Sequence, residues 1–302
     1  MNILITGGTG LIGRALCAAL SRDGHALTVL SRKPRSVAVK CGPNVRALGS
    51  LDEWSPELYF DAIINLAGEP IADAAWTAAR KKRLWDSRVT LTEQLVHHIA
   101  KAKQRPAVLL SGSAIGYYGD SGDAELDETG NAGADFAANL CVAWEAAAQK
   151  AGQLGMRVCL LRTGLVFSAD GGMLAKMRLP FALGLGTRLG NGRQWMSWIH
   201  IDDYVAIVRL LLLHTAAEGP VNMTAPVPVT NAGFTTTLAH ALHRPAFLAA
   251  PAAILKPLLG ERSVLLLGGQ KVLPRKVETL GYRFAQPTLV GALESLLRTS
   301  NR

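Results

Sequence analysis

The chain has 302 residues, of which 49% are hydrophobic and only 18% charged, with a formal net charge of +9. That balance excludes a disordered protein and assures a sizeable core, in one large domain or two intimately packed ones. Apolar runs stay short of a membrane span, and the basic excess lacks the aromatic interleaving or zinc scaffold of a nucleic-acid module.

Asn2–Thr6 is a short run rich in Ile and Leu, the composition of a strand buried on both faces. It breaks at glycines spaced Gly7-x-x-Gly10-x-x-Gly13, and an amphipathic helix follows with Leu11, Ile12, Ala15, Leu16, Ala19 and Leu20 on one side. Glycine here permits a tight turn, close approach of the backbone to a pyrophosphate, and a helix seated against its strand. The free N–H groups at the helix start then face the phosphates. Strand, glycines and helix in that order predict a dinucleotide site, held by Gly7, Thr9, Gly10, Leu11, Ile12 and Gly13. Met1 leads directly into this strand, so no signal peptide is expected. Cys17, Cys41, Cys141 and Cys159 lack metal-ligand spacing, so the expectation is a reduced, cytoplasmic protein without a metal.

Ala26–Leu30 is the second strand, ending at Ser31-Arg32-Lys33. An acidic residue about twenty positions past the glycines would bind a ribose 2′-OH and mark an NAD protein. Ser31 and Arg32 stand there instead. A carboxylate repels a 2′-phosphate, whereas a serine hydrogen-bonds it and a guanidinium pairs with it. The expected cofactor is therefore NADP(H). A Gly/Pro-punctuated region from Val37 to Glu57 holds at most a short strand, around Val45–Leu48. Asp61–Gly68 reads as a strand whose end, Asn65-Leu66-Ala67-Gly68, lies beside the dinucleotide at the carboxyl edge of the sheet. A long helical stretch follows from about Ala74 to Ala102, bent near Asp86-Ser87-Arg88. Arg88 is either a cofactor contact or a surface charge, and Arg80-Lys81-Lys82-Arg83 reads as a solvated face.

Ala107–Leu110 is another buried strand, running into Ser111-Gly112-Ser113 and then Tyr117-Tyr118-Gly119. Polar groups at the end of a central strand fall beside the place of a nicotinamide ring. Ser113 could hydrogen-bond a substrate oxygen and Tyr117 or Tyr118 could move a proton; the plainer alternative is a polar turn with two half-buried aromatics. Phe136, Leu140 and Trp144 mark the buried stripe of a helix from about Asp135 to Ala151. Val158–Leu161 is the sixth strand, with Leu165 just past it as a further cofactor contact.

Strand and helix alternate to about residue 166, the pattern of an α/β fold with a doubly wound parallel Rossmann sheet. Beyond it come an irregular stretch with an apolar segment at Met173–Leu183, a strand at Trp195–Ile201, a helix at Asp203–Leu213 capped by Asp202, and a helical tail at Leu289–Leu297. The expected organisation is an NADP-binding domain over 1–166, with 195–215 returning to it, and a smaller C-terminal α+β substrate lobe of 167–194 and 216–302.

Together these residues resemble the extended short-chain dehydrogenase/reductase superfamily, its nucleotide-sugar epimerase group in particular. The resemblance rests on Thr6-Gly-Gly-Thr-Gly-Leu-Ile-Gly13, Asn65-Leu-Ala-Gly68, Ser113 near Tyr118-Gly119, and Trp198-Ile-His-Ile-Asp-Asp203. The branch labelled "epimerase family protein" is the more specific likeness, through Ser31-Arg32-Lys33-Pro34, Asp86-Ser-Arg-Val89, Leu267-Gly-Gly-Gln-Lys-Val-Leu-Pro274 and Gly281-Tyr-Arg-Phe284. It covers essentially the whole chain and implies an extended Rossmann fold that binds NADP.

The resemblance also implies a Tyr-x-x-x-Lys pair on the helix after the serine strand, which this chain lacks. Its five tyrosines are Tyr59, Tyr117, Tyr118, Tyr204 and Tyr282, followed at the fourth position by Ile63, Ser121, Gly122, Val208 and Gln286. Glu145 fits the glutamate found after the family's lysine, which puts Cys141 at the lysine position and Ala137 at the tyrosine position. A tyrosine without a neighbouring cation titrates near pKa ~10 and is a poor base. The leading expectation is an NADP(H)-dependent oxidoreductase acting on a small organic substrate with non-standard residues, Ser113 and Tyr117 or Tyr118. Second stands a catalytically silent NADP-binding sensor or regulator, and last a nucleotide-sugar epimerase. The expected partner is a small molecule, with neither nucleic acid nor membrane, in a monomer or homodimer.

Overall fold

Alternation within each central strand puts one buried side chain on either face of a sheet, and the computed structural model, which describes residues 1–55 and 57–299, is organised on that rule. The last three residues of the expected lobe, 300–302, lie outside the described residues. β1 (Asn2–Thr6) sends Ile3 and Ile5 into one apolar layer and Leu4 into the other. After α1 (Leu11–Arg22) come β2 (Ala26–Leu30), β3 (Arg46–Leu48) and β4 (Ala62–Asn65). The long helical stretch is α2 (Ala78–Trp85) and α3 (Leu91–Lys101), joined by a π-turn at Asp86–Thr90, where the bend was expected.

β5 (Val108–Ala114), α4 (Phe136–Gln149) and β6 (Arg157–Thr163) complete the predicted alternation. β5 runs further than Ala107–Leu110, because Ser111 to Ala114 stay paired with Leu160 to Thr163 of β6. Leu165–Phe167 and α5 (Gly172–Ala182) follow, and the chain then returns through Trp198–His200 to α6 (Ile201–Leu213). α6 packs on α1, sharing one core layer through Tyr204, Ile207, Val208 and Leu211.

One boundary differs from the expectation. Gly219–Met223, assigned with 216–302 to the lobe, is β7, the seventh strand of the parallel sheet, whose order is β7-β6-β5-β4-β1-β2-β3. Gly219 and Pro220 disguised it. Proline is tolerated because β7 is an edge strand, while Val221 and Met223 supply the buried alternation. The expected strand at Trp195–Ile201 is two short strands: Trp195–Met196 pairs antiparallel with Val229–Thr230, and Trp198–His200 pairs parallel with Leu165–Phe167. The remaining lobe has its own core of Phe167, Leu174, Phe181, Trp198, Phe234 and Leu293. Asp203 ties it to α6, accepting from the Tyr282 hydroxyl and the N–H groups of Ala285 and Gln286. The cap of α6 is His200, whose Nδ1 accepts from the Asp202 N–H, and not Asp202 as expected.

Among the described residues no helix is long and apolar enough to cross a membrane.

Candidate functional site

The glycine turn is shaped by its own backbone. A Cβ on Gly13 would lie 2.4 Å from the Gly7 carbonyl oxygen, so the third glycine lets α1 sit against the turn. Gly7, at φ +70, is pressed against the Leu66 backbone. Gly10 differs. It stands before α1 without a side-chain cap, and only the Gly7 carbonyl oxygen, at 3.3 Å, lies near the place of its Cβ. An uncapped helix start whose first N–H groups lack a side-chain partner fits a pyrophosphate. Leu11 packs across to Gly171 and Gly172 of the lobe.

A buried polar chain fixes the neighbouring strand ends. Thr6 Oγ1 donates to Asn65 Oδ1 at 2.6 Å and accepts from the Ala67 N–H at 3.1 Å. Asn65 Nδ2 donates to Thr92 Oγ1 and Ser111 Oγ, and Trp144 Nε1 also donates to Thr92 Oγ1. The Asn65 backbone carried the expectation; its side chain turns out to lock β1, β4, β5 and α3 together. Arg88 leaves the π-turn pointing inward. Its guanidinium donates to the carbonyls of Glu69 and Leu84, lies over the Trp144 ring, and packs against Gly68 so closely that a Cβ there would meet it at 2.9 Å. Arg88 is thus no surface charge, and burial lowers its pKa.

Ser31 and Arg32 sit at the end of β2, Arg32 almost fully exposed and paired with Glu69 at 3.0 Å. Arg80 meets the same carboxylate at 3.3 Å and also donates to the Pro70 carbonyl. The basic cluster on α2 is therefore only partly a solvated face: the helical turn carries Arg80 inward, and Lys81 pairs with Glu261 and lies over Phe136.

A cavity of about 580 Å³ opens at the carboxyl ends of the strands. It brings together Ile12, Leu66, Arg88, Ser113 and Leu165 from the expected set, and adds lobe residues such as Met173, Met177, Trp195, Leu265 and Leu266. Ala137 and Cys141, one helical turn apart on α4, both face it, so the places of the family's tyrosine and lysine are filled by a methyl and a thiol. Burial pushes the Cys141 thiol up to about 11.

The two candidate tyrosines leave the site. Neither lines the cavity. The Tyr118 hydroxyl is buried, donating to Asn222 Oδ1 at 2.7 Å and accepting from Arg162 Nη1 at 3.0 Å, and burial pushes it up to about 12. Tyr117 lies flat beneath the Arg162 guanidinium, 3.6 Å from its ring centre. Arg162 organises this cluster and was not foreseen as doing so. Burial works against its charge, but Glu145, bound at 2.9 and 3.0 Å, and the Tyr118 hydroxyl outweigh that and raise its pKa. Ser113 keeps its expected place on the wall, yet its Oγ donates to Glu145 Oε1 at 2.6 Å. The signal that could have found the cluster was Glu145, visible in the sequence; its partner comes from the next strand.

The model of the NAD dependent epimerase/dehydratase family matches residues 3–224, and a domain of unknown function (DUF1731) matches 250–296. Epimerase family protein Mb2239 of Mycobacterium bovis is 42% identical over 294 residues, covering 96% of each chain. Epimerase family protein SDR39U1 of Bos taurus is 40% identical over 302 residues, covering 98% of this chain and all of that one. The crystal structure of human epimerase family protein SDR39U1 (isoform2) with NADPH superposes with a TM-score of 0.89 at 37% identity, covering 99% of both chains. The UDP-glucuronic acid 4-epimerase of Bacillus cereus, at 16% identity and a TM-score of 0.80 over 100% of this chain and 99% of that one, shares the fold.

Proposed function

The chain belongs to the NAD dependent epimerase/dehydratase family, and from that premise we propose that it is an NADP(H)-binding oxidoreductase of small organic molecules that works without the Tyr-x-x-x-Lys pair. The cofactor-binding unit is 1–166 with 198–223, and the remaining residues roof the cavity as a substrate lobe. The uncapped start of α1 takes the pyrophosphate, with Gly10 leaving the space and the Leu11 and Ile12 N–H groups facing it. Arg32, exposed at the surface, leaves Glu69 to pair with the 2′-phosphate, and Ser31 hydrogen-bonds it. The NADPH held by the human relative is consistent with that choice. Bound NADP(H) would supply the hydride chemistry; Leu66, Arg88 and Leu165 shape the floor, and Ser113 Oγ, its proton given to Glu145, accepts from the substrate hydroxyl.

The observation that carries the reading is the single cavity that joins Ile12 and Leu66 of the cofactor edge to Ser113 and to the lobe. A second reading, a silent NADP sensor or regulator, is favoured by Ala137 and Cys141 in the dyad positions. A fluorescence titration with NADPH followed by NADP⁺-dependent oxidation of an alcohol panel separates the two. We expect tight binding, turnover of at least one member, and a loss of about tenfold in Ser113→Ala, the worth of roughly one hydrogen bond. Tight binding with no turnover across the panel selects the sensor.

A further inference from the structure

We propose that the cavity takes an uncharged, predominantly apolar alcohol; this deepens the oxidoreductase reading and rests on it. The wall contributed by the lobe is predominantly apolar, with Met173, Met177, Trp195, Met196, Leu265 and Leu266, and most of its polar groups are already bonded: Gln194 Nε2 donates to the Leu189 and Leu266 carbonyls, and Asn231 Oδ1 accepts from the Leu189 N–H. Thioethers on flexible stems adapt to apolar shapes and offer little to hydroxyl-rich ones. The one cation on the wall, Arg88, is spent: Nη2 donates to the Glu69 carbonyl at 2.8 Å, and Nη1 to Leu84 and Ser87. The carboxylate on the wall, Asp135, caps α4 and repels an anion. A diphosphate would thus meet a single guanidinium whose terminal N–H groups are already engaged, and most sugar hydroxyls would be stranded against apolar groups.

Ser113 then selects within the apolar class. A hydroxyl has one proton, and that of Ser113 is given to Glu145 Oε1 at 2.6 Å. Both oxygens of this buried carboxylate are held by Arg162, at 2.9 and 3.0 Å, so Glu145 can only accept. Turning the Ser113 proton to the cavity would break a buried, charge-assisted hydrogen bond. Ser113 therefore meets the ligand with its lone pairs. It accepts from an alcohol and opposes a bare carbonyl oxygen.

The test is calorimetry on the protein, both free and saturated with NADP⁺, using the isosteric pair 2-tetralol and 2-tetralone with UDP-glucose as competitor. We expect 2-tetralol to bind about fivefold more tightly than 2-tetralone, as one net hydrogen bond allows. Ser113→Ala brings the two ligands to within about twofold by deleting that bond. Met177→Lys weakens both by about tenfold or more through a charge on the apolar wall, with Met173→Lys as the second variant and circular dichroism confirming that each is folded. Equal or tighter binding of the ketone by the parent protein overturns the proposal, as does displacement of 2-tetralol by UDP-glucose. Failure to bind NADP⁺ strikes the cofactor reading alone, because the alcohol-to-ketone ratio on the free protein still decides the ligand class.

Discussion

The two sides of the cavity are made of different material. The side proposed for the cofactor is backbone: a glycine turn, an uncapped helix start and the end of β4, all within the first 68 residues. The side proposed for the substrate is side chains gathered from β5, α4, α5, the strand at Trp195–Met196 and the segment 264–266. Backbone tolerates few residue types where it must turn tightly or approach closely, so the first side is written in glycines. The second can hold its shape with many apolar sequences, so the family's proton-transfer pair could be lost from α4 while the cradle stayed whole.

The largest effect should come from splitting the buried cluster behind the substrate wall. Glu145→Ala leaves the Arg162 guanidinium buried without its carboxylate, and we expect a loss of about 3–5 kcal/mol in urea unfolding. A loss below about 1 kcal/mol would show that water replaces the pair. Next come two glycines of one turn with opposite outcomes. Gly13→Val drives a side chain into the Gly7 carbonyl and should cost about 3 kcal/mol of stability. Gly10→Val meets the same carbonyl only at 3.3 Å and should cost less, about 1 kcal/mol, yet weaken NADPH at least about tenfold by filling the phosphate's place. Equal stability losses in the two variants would erase the distinction between a packing glycine and a ligand glycine.

The smallest effect is a pH dependence at the cap of α6. Burial lowers the pKa of His200, whose Nδ1 accepts from the Asp202 N–H. The folded state thus favours the neutral ring: its contribution is complete above the ordinary value of about 6.5 and is lost as pH falls from there through the folded value. The stability advantage of the parent over His200→Asn should narrow on acidification below about pH 6.5, followed by thermal midpoints. A constant difference would mean the ring does not titrate in that window.

What could be read from the sequence follows the same division. The first six sheet strands, α1 and the bend at Asp86–Arg88 were visible because periodicity and glycine spacing are local. β7 was hidden by Gly219-Pro220, residues that an edge strand admits and a central one does not. Ser113 was legible from its place at the end of a buried strand, and the vacancy at Ala137 and Cys141 from their distance along the chain to Glu145. The fate of Tyr118 was not, since its partners Asn222 and Arg162 come from β7 and β6 and only pairing in space brings them to it.

The central claim is that the cradle remains committed to NADP(H) although the proton-transfer pair is gone. Its most direct test is a paired fluorescence titration of NADPH and NADH against the parent protein and Arg32→Asp. The parent should prefer NADPH by at least about tenfold, one charge-assisted contact to the 2′-phosphate. Arg32→Asp should abolish or invert that preference while NADH affinity holds. An unchanged preference for NADPH in the variant would contradict it.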